Sequence, residues 1–147
     1  MTQMIIRKSV DADVPAILAI INDAARAYRG VIPADQWHEP YMPKEHLENE
    51  ISKGVVFWVA EEDGRLLGVM GIQDKGDVAL VRHAYVASSL QRSGVGTKLL
   101  EAALGWARAN RVDRIVLWPT SRSVPLYLRH GFARGGEVME LKVGSSK

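Results

Sequence analysis

The chain has 147 residues, 47% of them apolar and 24% charged, which suits one soluble domain with a real core. It has no cysteine, which excludes a disulfide framework, a thiolate metal site and a cysteine nucleophile, and suits a reducing, cytoplasmic location. A formal charge of +2, from basic residues scattered along the chain, argues against a nucleic-acid partner.

The N-terminal Met1-Thr2-Gln3-Met4 shows no signal-peptide pattern, and the apolar stretch Ala16–Ile21 is far too short to span a bilayer, so no membrane partner is expected. "MIIRKSV" reads as a first strand. Asp11 or Asp13 is expected to cap the helix that follows, with Pro15 in its first turn and Val14, Ile17, Leu18 and Ile21 as its apolar stripe. Residues 28–41, rich in Pro, Gly and aromatics, read as a long ordered loop. A short helix over Lys44–Lys53 is expected to bury Leu47 and Ile51 and to stop at Gly54.

"VVFWVA" and "LLGVMGI" flank Asp63-Gly64, a hairpin signal that places Glu61 and Glu62 as solvated turn charges. A second turn at Lys75-Gly76-Asp77 leads into the strand "VALVRHAYV". From Gly94 onward Val95, Leu99, Leu100, Ala103, Leu104 and Ala107 recur at helical spacing. "RIVLW" reads as a strand, 121–129 as a helix and "VMELKV" as a last strand, with Trp58 and Trp118 as core or cleft walls. The fold class is therefore mixed α/β (α+β) in a single domain, 1–147, with a mostly antiparallel first half.

Gly94-Val95-Gly96 lies between a strand and a helix, where free N–H groups and the helix dipole favour an anion. A Walker loop fails because Thr97-Lys98 stand in the reverse order and position 91 is Gln91. A Rossmann fingerprint fails because Leu99 stands where a third Gly or Ala is needed. Gln91-Arg92-Ser93-Gly94-Val95-Gly96 instead resembles Q/R-x-x-G-x-G/A, the acyl-CoA pyrophosphate loop of the GNAT superfamily of N-acetyltransferases. Val86 stands where that family ends its fourth strand, and Tyr127 with Gly131-Phe132 resembles its Y-x-x-x-G-F ending.

The resemblance implies a twisted mixed sheet of about seven strands with about four helices. It also implies acetyl transfer from acetyl-CoA, by direct attack, to a primary amine of a small molecule, an amino acid-like compound or a peptide. By the motif alignment, main-chain groups of Ala84 and Val86 meet the thioester and pantetheine arm, with Gln91 opening the loop. N–H groups of Arg92, Ser93, Gly94, Val95, Gly96 and Thr97 meet the pyrophosphate. Thr120 and Ser123 stand where relatives place Asn and Ala beside the CoA arm, and Tyr127 is the expected proton donor to the departing thiolate. A homodimer is common in the family, and no interface is fixed by this sequence.

An alkylamine with a pKa near ~10 must lose a proton before it attacks. The positions where relatives carry a base are Leu80 and Arg82 here. Strand alternation turns His83 to the face opposite Leu80, Arg82 and Ala84 unless a bulge intervenes, so it reads as a packed or hydrogen-bonded histidine. His38, Glu39 or an ordered water are the other routes for the proton. Trp37 and Tyr41 are candidate walls for the acceptor, with Glu39 or Asp35 to draw a cationic amine, or else packing residues of the loop. No metal is expected, since His38-Glu39 would need a histidine where Met42 stands. The alternative reading is a catalytically idle acyl-CoA-binding sensor.

Overall fold

The computed structural model describes residues 4–26, 35, 41–87, 94–119, 123–136 and 138–143. Among them are seven strands: β1 (Ile5–Lys8), β2 (Val55–Glu62), β3 (Arg65–Asp74), β4 (Val78–Val86), β5 (Arg114–Leu117), β6 (Ala133–Gly135) and β7 (Val138–Lys142). Four helices accompany them: α1 (Val14–Arg26), α2 (Lys44–Ser52), α3 (Val95–Ala109) and α4 (Val124–Arg129). One seven-stranded sheet runs in the order β1-β2-β3-β4-β5-β7-β6. All neighbours are antiparallel except β4 and β5, which are parallel because α3 carries the chain back across the sheet between them.

Each face of the sheet has its own core. On one, Leu99, Leu100 and Ala103 of α3 pack with Met70, Ile72, Ala79 and Val81. On the other, Ile17 and Ile21 of α1 and Leu47 of α2 cover Phe57, Val59 and Val69. Two covered faces explain why β3 reads as a nearly continuous apolar run rather than an alternating one. The hairpin between β2 and β3 turns at Asp63 (φ 56°) and Gly64 (φ 74°), the two left-handed residues that a tight hairpin of native twist demands.

Several sequence expectations are corrected. Asp13 does not cap α1: it sits in a 3-10 turn, Asp11–Asp13, ahead of it. Its carboxylate accepts from the Val10 N–H at 2.7 Å and from Arg7 at 2.8 and 3.0 Å. Glu61 is not a free turn charge, because it accepts from Arg7 Nε at 2.7 Å and so ties β2 to β1. In α2 the buried partner of Leu47 is Glu50 (7% exposed), while Ile51 is 37% exposed, since Glu50 finds polar groups of β4 beneath it. Of the two readings of Trp118, core or cleft wall, the second holds: just beyond β5 it is 57% exposed and lines a small cleft with Val81 and Arg82. The three-residue strand β6 follows Gly131-Phe132, where the family resemblance places the next strand, although its side chains are all exposed and carry no pattern of their own.

One irregularity sets up the site. Gly71 pairs with His83 but Ile72 pairs with Val81, so Arg82 is an extra residue and β4 bulges there. The bulge shifts the alternation by one. His83 and Tyr85 therefore share the α1–α2 face with Leu80, while Ala84 and Val86 take the α3 face.

Candidate active site

Parallel pairing of β4 with β5 runs from Val78↔Arg114 only to Val81↔Leu117. Beyond the bulge β4 continues to Val86, but β5 has ended, so the two strands part and leave a gap. Main-chain groups of β4 along that gap lose their partner strand. The Ala87 N–H donates to Leu67 O of β3 at 2.9 Å. In an antiparallel pair the bonding residues alternate, so Tyr85 also turns to β3, whereas Ala84 and Val86 turn their N–H and C=O groups into the gap.

The gap is a cleft of about 670 Å³ lined by Ala24, Val69, Met70, Ala84, Tyr85, Val86, Gly94, Gly96, Thr97, Leu99, Ser123, Pro125, Leu126, Tyr127 and Arg129. It opens on both faces of the sheet, since Ala24, Val69 and Tyr85 belong to the α1–α2 side and Met70, Leu99 and Val86 to the α3 side. Of the residues singled out in the sequence, Ala84, Val86, Gly94, Gly96, Thr97, Ser123 and Tyr127 meet here. The Val95 side chain is buried in the core, so only its N–H serves the helix start. Gln91, Arg92, Ser93, Thr120, Trp37, His38 and Glu39 lie outside the described residues.

Gly94 precedes α3 with φ 92°, a left-handed conformation that an L side chain resists. The first N–H groups of the helix, on Val95, Gly96 and Thr97, have no acceptor within the helix and carry its positive end. A Cβ on Gly96 would meet Leu126 Cδ2 at 3.6 Å and Val86 Cγ2 at 3.8 Å, ordinary contacts. The protein itself does not require glycine at 96, so the space it leaves belongs to the cleft. Gly68 of β3 does have a structural reason: a Cβ there would lie 2.9 Å from Val95 Cγ1, and glycine lets the start of α3 sit tight on the sheet.

The Tyr-x-x-x-Gly-Phe spacing also has a physical reading. Phe132 N donates to Tyr127 O at 3.0 Å and Gly131 N donates to Leu128 O at 3.1 Å, with Gly131 at φ 93°. This is a Schellman end to α4, and its usual apolar contact is present between Tyr127 and Phe132, edge to face at 5.4 Å. The cap fixes where α4 stops, and Tyr127, 4% exposed, is thereby held as part of the cleft wall.

On the α1–α2 side, Asn22 of α1 clamps the chain ahead of α2: its Oδ1 accepts from Met42 N at 2.7 Å and its Nδ2 donates to Met42 O at 3.1 Å. Tyr41, read as an acceptor wall or as a packing residue, is half-buried and packs against the core of that face. Nearby, Glu50 Oε1 lies 2.8 Å from His83 Nε2 and 3.7 Å from an Arg82 Nη. Burial pushes the His83 imidazole below the ordinary histidine range despite the Glu50 carboxylate. Burial alone would raise Glu50, but the hydrogen bond from His83 and the charges of Arg82, His83 and His46 prevail and hold it below the usual carboxylate range. Glu50 was not singled out in the sequence: it is 33 residues from His83, and no local signal joins them. Among the described residues no group of His, Asp and Glu could hold a metal ion, and no helix is long and apolar enough to cross a membrane.

Comparison with known proteins agrees with this architecture. A probable N-acetyltransferase camello of Xenopus tropicalis is 30% identical over 104 residues, 64% of this chain and 48% of the relative, so the chain spans about half the length of that protein. The PaiA N-acetyltransferase of Thermoplasma acidophilum, solved in complex with coenzyme A, superposes with a TM-score of 0.82 at 22% identity, over 95% of this chain and 99% of that one. A GNAT family acetyltransferase from Brucella melitensis in complex with acetyl-CoA gives a TM-score of 0.77 at 23% identity, over 99% of this chain and 91% of that one. At such identities these two structures speak for the fold. The profile of the acetyltransferase (GNAT) family matches residues 17–132, and the chain belongs to that family.

Proposed function

We propose that this chain transfers an acetyl group from acetyl-CoA to a primary amine of a small molecule, an amino acid-like compound or a peptide, by direct attack of the amine. The observation that carries the proposal is the parting of β4 and β5 with the start of α3 at one end of the gap and Tyr127 in its wall. Acetyl-CoA supplies a thioester activated for attack and a pyrophosphate that anchors it.

The residues present fit that group. N–H groups of Val95, Gly96 and Thr97 face the anion at the positive end of α3, and Gly94 and Gly96 leave the approach open. Gln91, Arg92 and Ser93 extend the loop on the sequence pattern. The main-chain groups of Ala84 and Val86 hold the pantetheine arm and give an N–H to the carbonyl oxygen as it gains negative charge. Ser123 lines the same cleft, and Thr120 belongs beside it by the motif alignment. Tyr127 donates a proton to the departing thiolate, whose conjugate acid has a pKa near ~8.5. Trp37 and Glu39 are assigned to the acceptor side on sequence grounds. Tyr41, which packs against the core of the α1–α2 face one residue from the Asn22 clamp, joins them on the same grounds.

A thiol-release assay over a broad panel of primary amines tests the reading, with Tyr127→Phe run beside the parent. Amine-dependent release by the parent, reduced in the variant, is the expected result. Binding of acetyl-CoA with no turnover on any amine supports the idle sensor instead, the reading that Leu80 and Arg82 at the family's base positions favour.

A further inference from the structure

We infer that His83, oriented by Glu50, is the group that takes the proton from the acceptor ammonium; this rests on the acetyltransferase reading above. The bulge at Arg82 is the first observation. Without it His83 would point to the α3 side; with it the imidazole shares the α1–α2 face with Tyr85, Val69 and Ala24, the residues that line the cleft on that side. Two residues along one face of a strand are about 7 Å apart, so His83 is the next residue on this face after Tyr85 of the cleft lining.

The second observation is how firmly the ring is held. Phe57 stacks on it at 5.9 Å with an interplanar angle of 17°. Gly71, directly opposite on β3, makes room for that stacking, since a Cβ there would lie 2.9 Å from the Phe57 ring. Glu50 takes the Nε2 side at 2.8 Å. An ionised carboxylate only accepts, so Nε2 carries the hydrogen and Nδ1 carries the lone pair. Nδ1 has no partner among the described residues.

The charged and titratable neighbours are Glu50 and His46 from α2 and Arg82 from β4. Burial and the two cationic or basic neighbours keep the imidazole neutral at pH 7, and Glu50 stabilises the imidazolium once it forms. The proton balance is simple. The ammonium gives one proton to Nδ1, its lone pair forms the C–N bond, and the C–S bond breaks. The nitrogen sheds its second proton as the amide forms, Tyr127 supplies one to the thiolate and is restored, and one proton leaves to solvent per turnover through His83.

The test compares the parent, His83→Gln and Glu50→Gln on 2-phenylethylamine, which is protonated at neutral pH, and on aniline, which is not. His83→Gln is expected to lower kcat on 2-phenylethylamine by about 10²-fold or more at pH 7. It leaves acetyl-CoA affinity unchanged, leaves aniline acetylation within a few-fold, and removes the limb of the kcat–pH profile that lies below the ordinary histidine range. Glu50→Gln keeps the reaction but moves that limb to lower pH. Equal losses on both amines, or an unchanged profile, overturn the base assignment while leaving the acetyltransferase reading intact. A parent that turns over neither amine nor any other in the panel overturns both.

Discussion

The two halves of the cleft are built from different materials. On the α3 side the working groups are almost all main chain: the free N–H groups at the start of α3 and the unpaired edge of β4 past Val81. On the α1–α2 side Ala24, Val69 and Tyr85 line the cleft, and the polar groups proposed to act there are side chains, Glu50, Arg82 and His83, brought together from two elements. Backbone groups constrain sequence through glycine and fixed spacing, whereas a side-chain cluster is free to be rebuilt from other positions. Under the proposed function the donor half is therefore a general device, and the acceptor half is where this chain is individual.

The largest effect that would break the comparison lies in the cap of α4. Phe132→Ala removes the apolar contact that closes the Schellman end and leaves a hole beside Tyr127, at a cost of about 3–5 kcal/mol. A thermal melt should show a large fall in Tm. A fall no greater than that of a surface substitution would separate the motif from the structural role given to it here.

Next comes Tyr127→Phe, expected to lower kcat about 10²-fold with acetyl-CoA affinity kept. The Phe132 ring contact survives in this variant. Loss of stability without loss of rate would make Tyr127 a packing residue.

Gly94→Ala is smaller. It forces an L side chain to φ 92°, costing about 1–2 kcal/mol without touching any neighbour, because nothing lies within 4 Å of the new Cβ. Denaturant unfolding would measure it, and an unchanged midpoint would contradict the left-handed start of α3.

The smallest effect is a pH dependence of stability from the other half. His83 is held below its ordinary value, so as pH falls through about 6.5 the unfolded chain gains a proton that the folded chain resists, and stability drops. Glu50 is also held low, so its stabilisation is present above the ordinary carboxylate range and is lost as pH falls through its folded value. Both act in one direction. His83→Gln should flatten the upper part of this acid slope, and an unchanged slope would mean that the imidazole titrates normally.

How much of this was legible in the sequence follows the same division. The glycines, the amphipathic helix from Val95 and the Tyr127–Phe132 spacing could be read because each is a local pattern with a local cause: positive φ, helical periodicity and a helix cap. The α1–α2 side could not. The reading of His83 as packed or hydrogen-bonded holds, but its face depends on a bulge, and the extra residue at Arg82 leaves no trace in hydrophobic pattern. Periodicity chose Ile51 over Glu50 as the buried residue of α2, because the polar partners that draw Glu50 inward lie on β4. Glu61 looked like a turn charge for the same reason, its partner Arg7 being 54 residues away.

Gly96 tests the assignment of the cleft most directly. A Cβ there makes only ordinary contacts, with Leu126 and Val86, and its backbone is not left-handed, so under the proposed assignment Gly96→Glu brings a carboxylate toward the pyrophosphate with no backbone strain. Calorimetric titration of acetyl-CoA into the parent and this variant should show binding in the parent and a loss of affinity of at least about 10²-fold in the variant, with the melting temperature of the free protein little changed. Equal affinity in the two proteins, or no binding by the parent, would contradict the assignment of this cleft to the acyl donor.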